Sequence, residues 1–141
     1  MNIRKATMMD KMEIYEMICD EEAAVEQTKF EQVLWENVNN PYIEYLVGIE
    51  DGVVVGFASL HIQKRLHQLG NVGEIQELVI RKSYRRKGLG TQLLQIMKQK
   101  AIDLSCIQLE VASNEKSKDA IKFYEKQKMS SDQRKLYIKL R

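Results

Sequence analysis

At 141 residues the chain has the size of one domain, long enough for one sizeable core and too short for two. Apolar residues make up 44% and charged residues 30%, which excludes a disordered chain, and 22 basic against 20 acidic side chains leave only +2. That balance supplies no global field for nucleic acid or an anionic membrane, so any basic site has to be local.

From the N-terminus, Asn2 to Ala6 reads as a short strand, and Thr7 with Asp10 three residues on resembles a capping box at a helix start. Ile14, Met17 and Ile18 then share a helical face. A second helix begins near Thr28, where Phe30, Val33, Leu34 and Val38 recur at helical spacing until Asn39, Asn40 and Pro41 stop it. Tyr42–Ile49 and Val53–Ile62 are β-branched and aromatic runs around an Asp51-Gly52 turn, a strong hairpin signal. Val72–Ile80 is the next strand. After Gly90 the apolar positions Leu93, Leu94, Met97, Ala101 and Ile102 carry the 3.6-residue period to about Leu104. Ile107–Val111 reads as a strand, Lys116–Gln127 as a helix, and Leu136–Leu140 as a final alternating strand.

Met1 to Tyr15 mixes charged and apolar residues without a leader-like apolar stretch, and no later run approaches the roughly 18 apolar residues of a membrane span. Cys19 and Cys106 lie far apart without metal-site spacing, which fits a reducing compartment, and the cytoplasm is the expected location.

The chemistry gathers where the Val72–Ile80 strand ends. Arg85, Arg86, Lys87, Gly88, Leu89, Gly90 and Thr91 join that strand to a helix and combine glycines with three adjacent cations. Amides at a helix N-terminus have no intrahelical acceptor and carry the positive end of the dipole, and glycine lets an anion approach them. The stretch suits a pyrophosphate. It is not a Walker A loop, which ends in Gly-Lys-Ser/Thr, because Lys87 precedes the glycine. Nor is it a dinucleotide fingerprint: Leu93 stands where a third glycine belongs, although Glu110 lies at about the 20-residue distance expected of the ribose acid.

Arg85, Gly88 and Gly90 fill the Arg/Gln-x-x-Gly-x-Gly/Ala motif, and here the sequence resembles the GNAT N-acetyltransferase superfamily. The resemblance continues through Ser113, Asn114, Asp119, Ala120, Phe123, Tyr124 and Glu125, and departs at Lys128-Met129, where members usually continue with Gly-Phe or Gly-Tyr. More narrowly, Leu60-His61-Ile62-Gln63, Leu66-His67 and Gly73–Val79 look like aminoalkylphosphonate N-acetyltransferases. The resemblance implies one α/β (α+β) domain over 1–141, with a mixed, mostly antiparallel sheet flanked by helices on both faces. It implies acetyl transfer from acetyl-CoA to a small-molecule amine, and the narrower likeness implies one bearing a phosphonate. Backbone at Leu78, Val79 and Ile80 would hold the pantetheine arm and polarise the thioester carbonyl, and Asn114 would either bond coenzyme A or cap its helix.

An alkyl amine with a pKa near 10.4 is only about one part in 2,500 neutral at pH 7, a penalty of roughly 4 to 5 kcal/mol, so attack needs a base. Glu74 and Glu77 are the carboxylates available, and strand alternation turns them to opposite faces unless a bulge intervenes. Glu77, grouped with Ile75 and Val79, has the more apolar surroundings and is the preferred base. The resemblance nominates Tyr124 to protonate the departing thiolate. His61 and His67, with Lys64 and Arg65, form a polar cluster where an anionic acceptor would dock; no metal is assigned, because a histidine with Glu77 gives too few ligands. Dimers are common in the superfamily, which is compatible with a homodimer. The alternatives are a peptide or protein N-acetyltransferase, a non-catalytic acyl-CoA sensor, and a nucleic-acid patch over Arg81–Lys87, disfavoured because only Tyr84 interleaves the charges.

Overall fold

The computed structural model describes residues 1–21, 24–112, 118–133 and 135–141. These form two compact units, Met1–Glu110 and Val111–Arg141.

In the first unit, β1 (Asn2–Lys5) runs into a 3₁₀ turn at Met8–Asp10 and then α1 (Lys11–Glu21). The capping box is present: Met9 N–H donates to Thr7 Oγ1 at 3.2 Å, and Thr7 N–H donates to Asp10 Oδ2 at 2.9 Å. Asp10 is buried and also accepts two Arg4 guanidinium bonds, each 2.8 Å. The Arg4 bonds hold the Asp10 carboxyl below the usual carboxylate range, and the Thr7 amide adds to the effect against the upward pull of burial. A group lowered on folding contributes stability that is complete above its unfolded pKa near 3.9 and is lost as pH falls through the folded value. Melting temperature is therefore expected to fall on acidification below about pH 4. Asp10→Asn should lose about 1.5–3 kcal/mol at pH 7 and show a shallower acid slope in thermal melts.

Next come α2 (Gln27–Val38), capped by the Glu26 carboxylate on the amides of Thr28 and Lys29, and three long strands. The strands are β2 (Ile43–Glu50), β3 (Val53–Arg65) and β4 (Gly70–Ile80). Asp51 and Gly52, at φ 53° and 75°, make the expected two-residue hairpin turn. A 3₁₀ turn at Lys82–Tyr84 leads to α3 (Leu89–Asp103) and β5 (Cys106–Val111). The sheet order is β1-β2-β3-β4-β5, with β1 to β4 pairing antiparallel in sequence. No helix among the described residues is long and apolar enough to cross a membrane.

Helices cover both faces of the sheet. Ile14 and Met17 of α1 and Leu34 of α2 pack with Tyr45, Val47, Phe57 and Val79 on one face. Val47, Phe57 and Val79 are cross-strand partners, so the hydrophobic floor is one row across β2, β3 and β4. On the other face α3 buries Leu93, Leu94, Met97 and Ala101, and Leu60 and Ala101 both reach the backbone at Gly73.

In the second unit α4 (Lys118–Lys126) carries Phe123 and Tyr124, whose rings meet edge to face with centroids 5.1 Å apart. The helix closes with the amides of Gln127 and Met129 both donating to the Tyr124 carbonyl, at 3.0 and 3.2 Å. The final strand expected at Leu136–Leu140 is not formed: these residues take no regular structure, and Leu136, Tyr137, Ile138 and Leu140 are exposed. Alternation alone makes no strand, because a strand exists only where its backbone groups find a paired ladder, and within this unit the segment meets none.

Candidate active site

The polar site starts one row beyond the hydrophobic floor. Tyr45, Ser59 and Glu77 are register partners across β2, β3 and β4, and in the next row His61 stands opposite Glu74. Between these rows the β3–β4 register shifts: Ser59 faces Glu77 and Leu60 faces Ile75, leaving Gln76 as an extra residue on β4. This is the bulge that the sequence left open. Ser59 and His61 alternate onto one face of β3, so their partners Glu77 and Glu74 share that face as well.

The bulge is held by side chains. Glu77 N–H donates to Ser59 Oγ at 3.0 Å, and the Ser59 hydroxyl donates back to Glu77 Oε2. Ser59 is 0% exposed, so replacing it without a substitute would strand a buried amide. Beside it, Asn37 of α2 donates to the Tyr45 hydroxyl at 2.6 Å. Burial pushes the Tyr45 phenol up, the Asn37 bond pulls it back, and the negative charge of Glu77 adds a further upward push. Tyr45 also stacks edge to face on His61, with centroids 6.4 Å apart.

Glu74 is 4% exposed and accepts from Gln76 Nε2. Arg65 lies between two acids, 3.8 Å from Glu74 and donating through Nη1 to both oxygens of Glu110 at 2.9 and 3.0 Å. Glu110, spaced in sequence like a ribose acid, is thus an ion-pair partner. His67 is exposed in the turn between β3 and β4, apart from the row that holds His61. Among the described residues no group of three or more His, Cys, Asp or Glu is placed to hold a metal ion.

Leu78, Val79 and Ile80 end β4 opposite Ala58, Phe57 and Gly56. The cationic loop follows: Arg86 and Gly88 adopt positive φ, 64° and 79°, and Gly88 caps α3 with no side-chain bond. Leu89 is buried and anchors the helix start, leaving Arg85, Arg86, Lys87 and Gly88 exposed around it, with Gly90 and Thr91 in the first turn. The dipole and the first-turn amides of a 15-residue helix meet three cations there, an arrangement that favours a multiply charged anion. Lys87 Nζ stands 5.2 Å over the Tyr84 ring. Arg85 donates to the Ile80 carbonyl at 2.8 Å and pairs with Glu21 at the end of α1. Arg81 does the same with the Val54 carbonyl and Glu16, at 2.8 and 3.0 Å.

Burial pushes the Tyr124 phenol of α4 up, so it keeps its proton at neutral pH. Ser113 and Asn114 lie outside the described residues. Sequence reasoning missed Tyr45, Ser59 and Asn37, because each matters through cross-strand register or a helix-to-sheet bond that no local spacing encodes.

The Acetyltransferase (GNAT) family matches residues 11–129. The chain is 33% identical over 123 residues to an aminoalkylphosphonate N-acetyltransferase of Salmonella typhimurium, covering 86% of this chain and 80% of the relative. It is 34% identical over 90 residues to a glucosamine 6-phosphate N-acetyltransferase of Trypanosoma brucei brucei, covering 63% and 59%. A solved Trypanosoma brucei acetyltransferase superposes over 99% of both chains with a TM-score of 0.82 at 26% identity. With the cationic loop at a helix N-terminus and this sheet, the match leaves one assignment: the chain belongs to the GNAT acetyltransferase family and is an acyl-CoA-dependent N-acetyltransferase that uses acetyl-CoA as co-substrate.

Proposed function

We propose that this enzyme acetylates the primary amine of a small molecule carrying a phosphonate or phosphate group, with Glu77 as general base and Tyr124 as general acid. The observation that carries the reading is the bulge at Gln76, which puts two carboxylates on one sheet face beside Tyr45 and His61. Glu77 is half-buried and open to an acceptor, whereas Glu74 is buried against Gln76 and Arg65, which favours Glu77 as the group that takes the proton. Glu77 takes a proton from the bound ammonium, directly or through a water, the freed lone pair attacks the acetyl carbonyl, and the tetrahedral intermediate sheds its surplus N–H proton to solvent as the C–S bond breaks. The thiolate takes the Tyr124 proton. That transfer is uphill by about 2 kcal/mol from ordinary values, and desolvation of the thiolate offsets it.

The diphosphate of coenzyme A is assigned to the first-turn amides of α3 with Arg85, Arg86, Lys87, Gly88 and Gly90, and the pantetheine arm to the backbone of Leu78, Val79 and Ile80. Two relatives named for amines with a phosphonate or a phosphate support an anionic acceptor, with His61 as its nearest candidate ligand. The family match crosses both compact units, which supports reading 1–141 as one acetyltransferase domain. Free Cys19 and Cys106 are consistent with a cytoplasmic enzyme, and a homodimer belongs to the same reading.

Thiol release should be measured with acetyl-CoA across aminoalkylphosphonates, amino-sugar phosphates, polyamines, aminoglycosides and peptides. Turnover confined to the first two classes is expected; turnover confined to polyamines or peptides would overturn the acceptor assignment. Tyr124→Phe is expected to lower kcat by about 10²-fold. It should also abolish any alkaline fall in kcat that reports loss of the phenol proton, as read from profiles carried above pH 10, because burial pushes that loss beyond the ordinary phenol value.

A further inference from the structure

We infer that Ser59 is a positioning residue for the acetyl transfer, acting through Glu77; this rests on the reading of Glu77 as the base. Ser59 is the fully buried centre of the Tyr45–Ser59–Glu77 row. Its hydroxyl bonds Glu77 in both directions, accepting the amide at 3.0 Å and donating to Oε2. The first bond fixes the backbone where the bulge interrupts the ladder, and the second fixes the side-chain rotamer. With Oε2 occupied by the serine proton, Oε1 is the oxygen left for the acceptor's proton. The titratable and charged groups on this face are Tyr45 from β2, His61 and Arg65 from β3 and Glu74 from β4, while α2 brings the uncharged Asn37.

The test is a double-mutant cycle with steady-state kinetics on the full chain, using acetyl-CoA and the best amine of the panel. Ser59→Ala is expected to lower kcat about tenfold with the KM for acetyl-CoA unchanged. In a Glu77→Gln background the same change should alter kcat less than twofold, because the group Ser59 acts through is already gone. Ser59→Cys fills nearly the same space with a weak donor and should reproduce the loss of kcat at unchanged KM if the alanine variant does not fold. An unchanged kcat in Ser59→Ala or Ser59→Cys, or an equal loss of kcat in both backgrounds, overturns the positioning role while leaving the base assignment standing. Wild-type kcat in Glu77→Gln alone overturns the base assignment and, with it, this inference.

Discussion

Glu77→Gln is expected to lower kcat by about 10² to 10⁴-fold at pH 7 with little change in the KM for acetyl-CoA. Glutamine keeps the size of the side chain and can still accept the Ser59 hydroxyl, so the bulge and its row stay in place while the proton acceptor disappears. The amine then reaches the thioester only in its rare neutral form, which at neutral pH is the 4 to 5 kcal/mol handicap of roughly 10³-fold that a base exists to remove. Thiol release between pH 6 and 10 checks this. The variant should recover activity as rising pH deprotonates the free amine, whereas a rate equal to wild type at every pH would move the base to Glu74 or to a water.

Gly88→Val is expected to raise the KM for acetyl-CoA by tenfold or more while leaving the protein folded. Gly88 sits at φ 79°, and a Cβ built there meets nothing within 4 Å, so crowding is not the difficulty. The difficulty is backbone: the left-handed region costs an L-residue about 1–2 kcal/mol, and more for a β-branched one. The loop relieves that strain by rotating the peptide units that aim the Leu89 and Gly90 amides, and a branched side chain then stands where an anion would approach. A tenfold loss corresponds to about 1.4 kcal/mol, well within what a displaced amide pair accounts for. Calorimetric titration with coenzyme A separates binding from turnover. Unchanged affinity would remove the diphosphate from this helix start.

Much of this was readable from the chain because the signals were local. Thr7 and Asp10 announce the turn they make, Asp51-Gly52 supplies the two positive φ values its hairpin needs, and the glycines at 88 and 90 mark a helix start where a side chain would obstruct an anion. Glu77 and Tyr124 could be nominated as residue types at positions. Their surroundings could not, because Ser59 and Tyr45 lie 18 and 32 positions before Glu77 and meet it only through register. The bulge is invisible for a related reason: Gln76 differs from its neighbours in nothing but the partner it lacks. Leu136–Leu140 shows the converse, a strand-like pattern without a ladder to join.

Strand β4 could pair without its extra residue only by slipping one position, and then Ile75 would take the place of Glu74 while the glutamate turned beneath α3. Ile75 is 0% exposed opposite an equally buried Leu60, so the hydrophobic phase of the strand opposes that slip alongside the Ser59 bonds across the bulge. The spacing of the two acids is therefore inherited from the core. Their side chains can be exchanged one at a time without shifting the frame that carries them, which leaves the chemistry of this face free to diverge while its geometry stays inherited.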